Sequence, residues 1–502
     1  MIKKSIKTKL IGQKNNFLLF VIILLIASIV YNGYIMGHYA GDSYNIMNIG
    51  LERYSVENNL KDGRPIMYLI DQIAVLTHMS YDVFIISTVI LGILFTSITC
   101  VIFYNIIIKY FKNLKKIEKI LLLLISYIVH FNFMYVENLY FVEAVVMGLT
   151  LLFYLLSAKN LIYNKSKLKA ILFAVLGTFS YNGLICYYIT IVSFLSIIEN
   201  NENEKKALKD IFISVIIVLI TLICNLLFSK IIWIILGETN RRLQDSALYN
   251  FKNIIYNIYY IFEVLTGFVI KESSNVFPRY LYMIFLSILI IIGIYLDKLK
   301  NKDVFIKIID LIIISIFSAF IINTITLTAL NGARMRHSVG MTIGLVVLLL
   351  FKYIKDYNCE NKIYNSMIMI FLSYFIISIC YSMYLINIHK KVNMIEKQEV
   401  QSIEKYVKEY EISNNVEVKY ITYVDSNKMN NYYENTRYCF CTNRSLGCSW
   451  SYAGVYNFYS GRKLEEIKPT DEINKRYNEA NITLDNGIVC INDIMICPLS
   501  DY

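Results

Sequence analysis

The stretches FLLFVIILLIASIV (17–30) and IFISVIIVLITLICNLLF (211–228) are apolar on every side. A strand of a membrane barrel alternates apolar and polar residues, so unbroken runs of this kind fit helices embedded in lipid. The rest of the chain agrees: of 502 residues, 56% are hydrophobic, 17% are charged and four are proline. Such a balance excludes an ordinary soluble enzyme, a collagen-like chain and a disordered one. The fold class expected is an all-α polytopic membrane protein.

Hydropathy windows of about 20 residues place spans near 17–35, 81–108, 119–136, 139–157, 210–236, 280–296, 304–327, 339–352 and 363–388. The block 170–198 is flanked by lysines at both ends, Lys159 to Lys169 and Lys205 to Lys209. The positive-inside rule puts both flanks on the cytoplasmic side, which one span cannot satisfy. Gly177 and the turn Tyr181-Asn182-Gly183 divide the block into two short helices. The expected total is about 11 spans, with the N-terminus cytoplasmic and the C-terminus outside. The first segment follows a basic N-terminus and lacks a small-residue cleavage site, so it is expected to be retained. The segment Arg64 to Met79 is apolar but short and carries Asp71, Gln72 and His78; it is expected to lie at the outer interface or dip in partway.

The chain carries a net charge of +11, yet residues 390–502 hold 14 basic and 16 acidic groups. The basic excess therefore lies wholly in residues 1–389, where it reads as loop charge and not as a nucleic-acid surface. Two domains are expected: 1–389 in the membrane and 390–502 as a small extracytoplasmic α/β unit, from the amphipathic EKQEVQSIEKYVKEYE followed by the strand pattern VEVKYITYVDS. Its five cysteines, Cys439, Cys441, Cys448, Cys490 and Cys497, are expected to form one or two disulfides; their spacing does not suit zinc.

Nearly all lysines before residue 390 fall in cytoplasmic segments, whereas the seven arginines there, Arg53, Arg64, Arg241, Arg242, Arg279, Arg334 and Arg336, all fall outside. A guanidinium binds phosphate through two parallel bonds and keeps its charge when partly buried, so an outward set suits a phosphate-bearing ligand. Codon bias with chance scatter is the plain alternative. In the first outer loop, MGHYAGDSYNIMNIGLERYSVENNLKDGRP (36–65), Asp42 starts a helix along the membrane surface. It is either that helix's N-cap or a carboxylate at the mouth of a cavity. Asp62-Gly63 before Arg64-Pro65 is a turn that orients Arg64 toward the membrane surface. Glu137 stands at the tip of the next outer turn, and Glu143 falls inside the following span. A carboxylate there is costly, so it faces either a cavity or a buried structural partner. The aromatic loop 238–279 reads as an interfacial helix or a cradle for a lipid chain, and NGARMRHS (331–338) as a phosphate site or a snorkelling cluster. No phosphate-binding glycine loop, HExxH or Ser-His-Asp pattern is present, and five histidines leave Asp, Glu and Arg to carry any reaction.

Asp42 after the first span, Gly63-Arg64-Pro65, NFMYVENLYFVEAVVMGLTLL (132–152) and Ser180-Tyr181-Asn182 occur in this order along residues 1 to about 390. In order and spacing the chain resembles the type II glucosyltransferase family that modifies O-antigen in phage serotype conversion. It departs from that pattern at Asp42-Ser43, where the family has paired acidic residues, and at Tyr181-Asn182, where it has Tyr-Gln. The resemblance implies a GT-C-like fold of the bacterial plasma membrane. It also implies transfer of a sugar, glucose for that family, from a polyprenyl-phosphate donor to a cell-surface polysaccharide or other glycan acceptor outside.

Catalytic roles are expected for Asp42, as base, and for Glu137 and Glu143, as carboxylates holding sugar or metal. Arg64, Arg334 and Arg336 are expected to hold phosphate. Tyr181 and Asn182 join the substrate-binding set. A divalent cation is compatible with this reading without being required by it; membrane lipid is a partner and nucleic acid is not. A transporter or flippase of lipid-linked saccharides would share the arginines and the many spans, but it should show internal repeats, which are not evident. A polysaccharide polymerase would share the outer-loop arginines, but the early Asp42 and Glu137-Asn138-Leu139 favour the transferase.

Overall fold

The structure, a computed structural model, describes residues 2–237, 279–300, 303–319, 333–357, 359, 361–435 and 444–500. The expectations for Arg241, Arg242, most of the 238–279 loop, Cys439 and Cys441 lie outside them. Helix α1 (Ile2–Val30) leads through a short turn of helix, α2 (Asn32–Ile35), into α3 (Gly41–Ile49), α4 (Leu51–Tyr54) and a π-helical stretch, Ser55–Leu60. There follow α5 (Pro65–Leu76), α6 (Tyr81–Ile107), α7 (Lys116–His130), α8 (Tyr135–Tyr140) and α9 (Ala144–Ile162). Next come α10 (Lys167–Ser180), α11 (Ile185–Glu199) and α12 (Glu204–Leu236). Beyond the 238–278 segment lie α13 (Arg279–Lys300), α14 (Val304–Ala319), α15 (His337–Asp356) and α16 (Asn361–Asn414).

This is a helical membrane protein: seven of the described helices are long and apolar enough to cross a bilayer, and their outward faces leave Leu219, Ile223, Ile235, Ile291 and Ile376 exposed. The block 170–198 divides at Tyr181 into α10 and α11, joined by a turn of 3-10 helix at Asn182–Leu184.

The two ends of the bundle differ in chemistry. At one end Lys355 pairs with Glu118 at 2.8 Å, Lys307 bonds Asn201 and Lys165 approaches Asp210. These residues come from the loops and helix ends that the charge pattern groups together. At the other end sit the arginines described below.

The segment between α7 and α9 departs from two abutting spans. Asn132 ends α7 by donating to the Val129 carbonyl at 3.2 Å and accepting from the Met134 amide at 3.0 Å. The chain then makes the buried short helix α8 before α9 begins at Ala144. Glu143 is therefore the residue that precedes α9, and not a mid-span carboxylate.

Helix α16 runs unbroken for 54 residues, about 80 Å at 1.5 Å per residue, far more than a bilayer core requires. Its last turns carry the remainder of the chain. Strand β1 (Tyr420–Tyr423), α17 (Lys428–Asn435), α18 (Ser449–Ser460), β2 (Glu465–Glu466), α19 (Asp471–Glu479), β3 (Val489–Ile491) and β4 (Ile494–Cys497) form a sheet in the order β2-β1-β4-β3, with helices around it. β1 is parallel to both neighbours, Tyr420 facing Glu465 on one side and Ile494 on the other, while β3 and β4 are antiparallel. Arg462 bonds Glu404 at 2.8 Å and Glu411 at 2.7 Å, and Arg444 reaches Glu399. Three carboxylates on α16 thus anchor this unit. Cys490 and Cys497 are buried free thiols, so neither takes part in the one or two disulfides expected among the five cysteines. Both sit in a core with Ile421 and Met495, where burial alone satisfies them.

Helix α18 lies directly on α3. A Cβ at Gly454 would stand 2.1 Å from the Tyr44 carbonyl oxygen, a backbone atom that cannot rotate aside. Gly454→Ala is therefore expected to lower the thermal unfolding temperature of the detergent-solubilised protein, as overpacking costs about 1–3 kcal/mol. An unfolding temperature equal to that of the wild type would show that the two helices do not meet this closely.

Candidate active site

The turn expected at Asp62-Gly63 is where the site begins. Gly63 has φ +76, which favours glycine, and a side chain there would collide with Ser229 and Asn225 of α12. Trp233 on α12 donates to the Lys61 carbonyl at 2.9 Å, holding the same turn. Pro65 then opens α5, with its fixed φ suited to the first helical position. Arg64, immediately before it, turns inward and not toward the membrane surface as expected: its Nη1 lies 3.5 Å from Glu143 Oε1, and its guanidinium carbon 5.1 Å from the centre of the Tyr181 ring. The Tyr54 hydroxyl donates to the same Glu143 oxygen at 3.1 Å.

Asp42 occupies the first turn of α3, but it is not the cap. The cap position is Ala40, whose amide donates to Ser43 Oγ at 3.2 Å. The capping alternative is corrected on that geometry. The Asp42 carboxylate acts electrostatically on Tyr54 and on Arg334, as does Glu143.

Arg334 belongs to a turn of 3-10 helix, Ala333–Arg336, packed against α8. Its backbone amide donates to Glu137 Oε2 at 2.7 Å, and its guanidinium carbon lies 3.8 Å from the centre of the Phe141 ring, a cation–π stack. Glu137 and Tyr181 join Asp42 and Glu143 in acting on the Arg334 charge. Burial pushes the Glu137 carboxyl above its ordinary range, opposed by the charges of Arg334 and Arg336. Arg336 is itself buried. The Nε atoms of Arg64 and Arg334 are buried with no hydrogen-bond partner among the described residues, as are both amide atoms of Asn138. Buried donors in that state are suited to an anionic or polyhydroxylated ligand.

The structure thus gathers Asp42, Glu137, Glu143, Arg64, Arg334, Arg336 and Tyr181 from segments as much as 294 positions apart in the chain. Asn182 lies beside Tyr181 but makes no side-chain hydrogen bond among the described residues. Tyr54 and Phe141 escaped the sequence reading because an aromatic residue in a chain with 42 tyrosines and 28 phenylalanines carries no signal of its own. Among the described residues no group of three or more His, Cys, Asp or Glu could hold a metal ion. Glu143 is already engaged by Tyr54 and Arg64, and Glu137 by the Arg334 amide. Arginine supplies the positive charge beside them.

Asp71, on α5, adds a buried carboxyl behind the site. Asn59 donates to its Oδ2 at 2.7 Å, and Oδ1 has no partner among the described residues. Burial, with some help from Glu143, raises it from 3.8 to about 8. A carboxyl raised on folding contributes stability that is complete below its unfolded value and is lost as pH rises through the folded one. Asp71→Asn cannot ionise, so it is expected to raise the unfolding temperature above pH ~8 and change it little below pH ~4. A melting series across pH would refute this if the two proteins kept a constant offset.

No family model matches the chain, and no curated protein matches it.

Proposed function

We propose that the protein is a membrane glycosyltransferase that takes a sugar, glucose by the family resemblance, from a polyprenyl-phosphate carrier and places it on a cell-surface glycan at the outer face of a bacterial plasma membrane. The observation that carries this reading is the convergence of three carboxylates and three arginines at the end of the bundle opposite Lys165, Lys307 and Lys355. In this reading there are about 11 spans, the N-terminus is cytoplasmic and the sheet-bearing unit is extracytoplasmic.

The chemistry follows from the groups present. Asp42 accepts the proton of an acceptor hydroxyl as its oxygen attacks the anomeric carbon of the donor. The bond from that carbon to the phosphate oxygen breaks, and its electron pair leaves with the polyprenyl phosphate. Arg64, Arg334 and Arg336 neutralise the charge that develops there. Glu137 and Glu143 hold Arg334 and Arg64 in place, and Tyr181 and Asn182 border the donor. The sugar is transferred with inversion, and Asp42 later releases its proton to water.

The test is transfer of radiolabelled sugar from a panel of polyprenyl-phosphate sugars by membranes containing the protein. Label leaving the lipid for a polymer supports the transferase. Label that crosses the bilayer still attached to lipid would replace this reading with a flippase of lipid-linked saccharides.

A further inference from the structure

A groove opens between α3, the N-terminus of α6 and the sheet-bearing unit. This groove has a volume of about 1850 Å³, above the roughly 300–1,000 Å³ of pockets that enclose a single small molecule. Its size suits a stretch of polymer. Three rings stand open in it: Trp450 is 48% exposed, Phe458 39% and Tyr81 38%. Large rings left in contact with water need a reason when they line one concave surface.

The polar groups between them narrow the ligand class. Asn45, Asn48 and Asn58 supply amides that both donate and accept, and Asp82 and Asp425 supply carboxylates that accept. Four basic and five acidic residues line the groove, so it is nearly neutral and offers no field to a nucleic acid or an anionic lipid surface. Flat aromatic faces with interspersed amides and carboxylates match a neutral glycan, whose sugar rings present apolar C–H faces and hydroxyl edges.

Helix α3 connects this groove to the carboxylates. A Cβ at Gly41 would lie 2.4 Å from the edge of the Trp450 ring, so the ring rests on the first turn of α3, one residue from Asp42. One and two helical turns further along this face come Asn45 and Asn48, the latter 3.5 Å from the Asn457 amide of α18. The same helix thus forms a wall of the groove and carries Asp42 into the arginine cluster.

We propose that this groove binds several sugar units of the acceptor glycan, with Trp450 as the stacking platform nearest Asp42, so that the chain's reactive hydroxyl is led to the carboxylate. The inference rests on the transferase reading for its last clause only. Binding of a neutral glycan can be tested without turnover.

The chain has two tryptophans, and Trp233 is buried on α12. Trp233→Phe therefore leaves Trp450 as the sole indole reporter in the full-length, detergent-solubilised protein. Maltohexaose, cellohexaose, chitohexaose and polysaccharide released from the source cell surface would be titrated against its emission. A saturable shift with at least one of them is expected, lost on adding Tyr81→Ala from the facing wall. In the transfer assay, Trp450→Ala is expected to raise the KM for polymer acceptor about tenfold, the size of a lost aromatic contact. Tyr81→Ala should act in the same direction, which guards against a folding defect in one variant. No saturable shift with any glycan, or an acceptor KM untouched by both substitutions, would overturn the groove assignment while leaving the transferase standing. Glycan binding by a protein that transfers no sugar from any donor would retain the groove and remove the reaction.

Discussion

Asp42→Asn is expected to lower sugar transfer by about 10²–10⁴-fold, the range that a positioned general base contributes. The substitution is isosteric and removes the negative charge together with the ability to take a proton. Had Asp42 capped α3, the loss would be confounded with a frayed helix. Ala40 holds the cap position instead, its amide donating to Ser43 Oγ, so the helix keeps its start in the variant. Two measurements separate the chemistry from the fold: the unfolding temperature should match that of the wild type, and the KM for the lipid-linked donor should stay within about twofold while kcat falls. A variant with full kcat would remove Asp42 from the reaction and pass the role of base to another group of the cluster. A fall in kcat accompanied by a lower unfolding temperature would make Asp42 a structural residue of α3.

How much of this was open to reading in the sequence depends on the range of the forces involved. Runs such as 211–228 disclose a membrane helix because lipid imposes one local requirement, apolar side chains all round. The turn that splits 170–198 is also local, since lysines at both ends and Tyr181-Asn182-Gly183 in the middle suffice to place it. What could not be read is which side chains meet across the bundle. Glu143 looked like a carboxylate inside a span because the apolar pattern runs on from α8 into α9. It precedes α9 because Asn132, through two local hydrogen bonds, ends α7 early and makes room for α8.

Arg64 was legible as a turn residue, yet its direction depends on α12, whose Asn225 and Trp233 clamp the turn from more than 160 positions away. The same holds for Cys490 and Cys497: a count of cysteines favours pairing, whereas packing into one apolar core accounts for them as thiols. The expected topology places the arginines on one common side by the charge pattern alone. Their meeting with Tyr54 and Phe141 rests on tertiary contacts that leave no periodic trace.

Arg334→Ala should reduce transfer by about 10²–10³-fold, the scale of removing one preorganised charge from the leaving group. The geometry makes this substitution unusually clean. Glu137 is held by the backbone amide of residue 334, not by its side chain, so truncation leaves that bond in place. What disappears is the guanidinium stacked 3.8 Å from the Phe141 ring centre, together with the charge felt by Asp42, Glu137 and Glu143.

Arg334→Lys then distinguishes charge from shape. An ammonium restores the positive charge, but it can neither lie flat on Phe141 nor offer a planar pair of donors to phosphate. Recovery with lysine should therefore be small, about tenfold at most, and Phe141→Leu should weaken Arg334 function in the presence of the native guanidinium. If lysine restores full activity, Arg334 is a simple counter-charge for the three carboxylates and the phosphate is held elsewhere. If Ala and Lys are equally inactive while donor KM rises in both, the guanidinium grips the carrier phosphate in the ground state as well as during its departure. A kcat that falls at constant donor KM would instead confine its contribution to the moment at which the phosphate leaves.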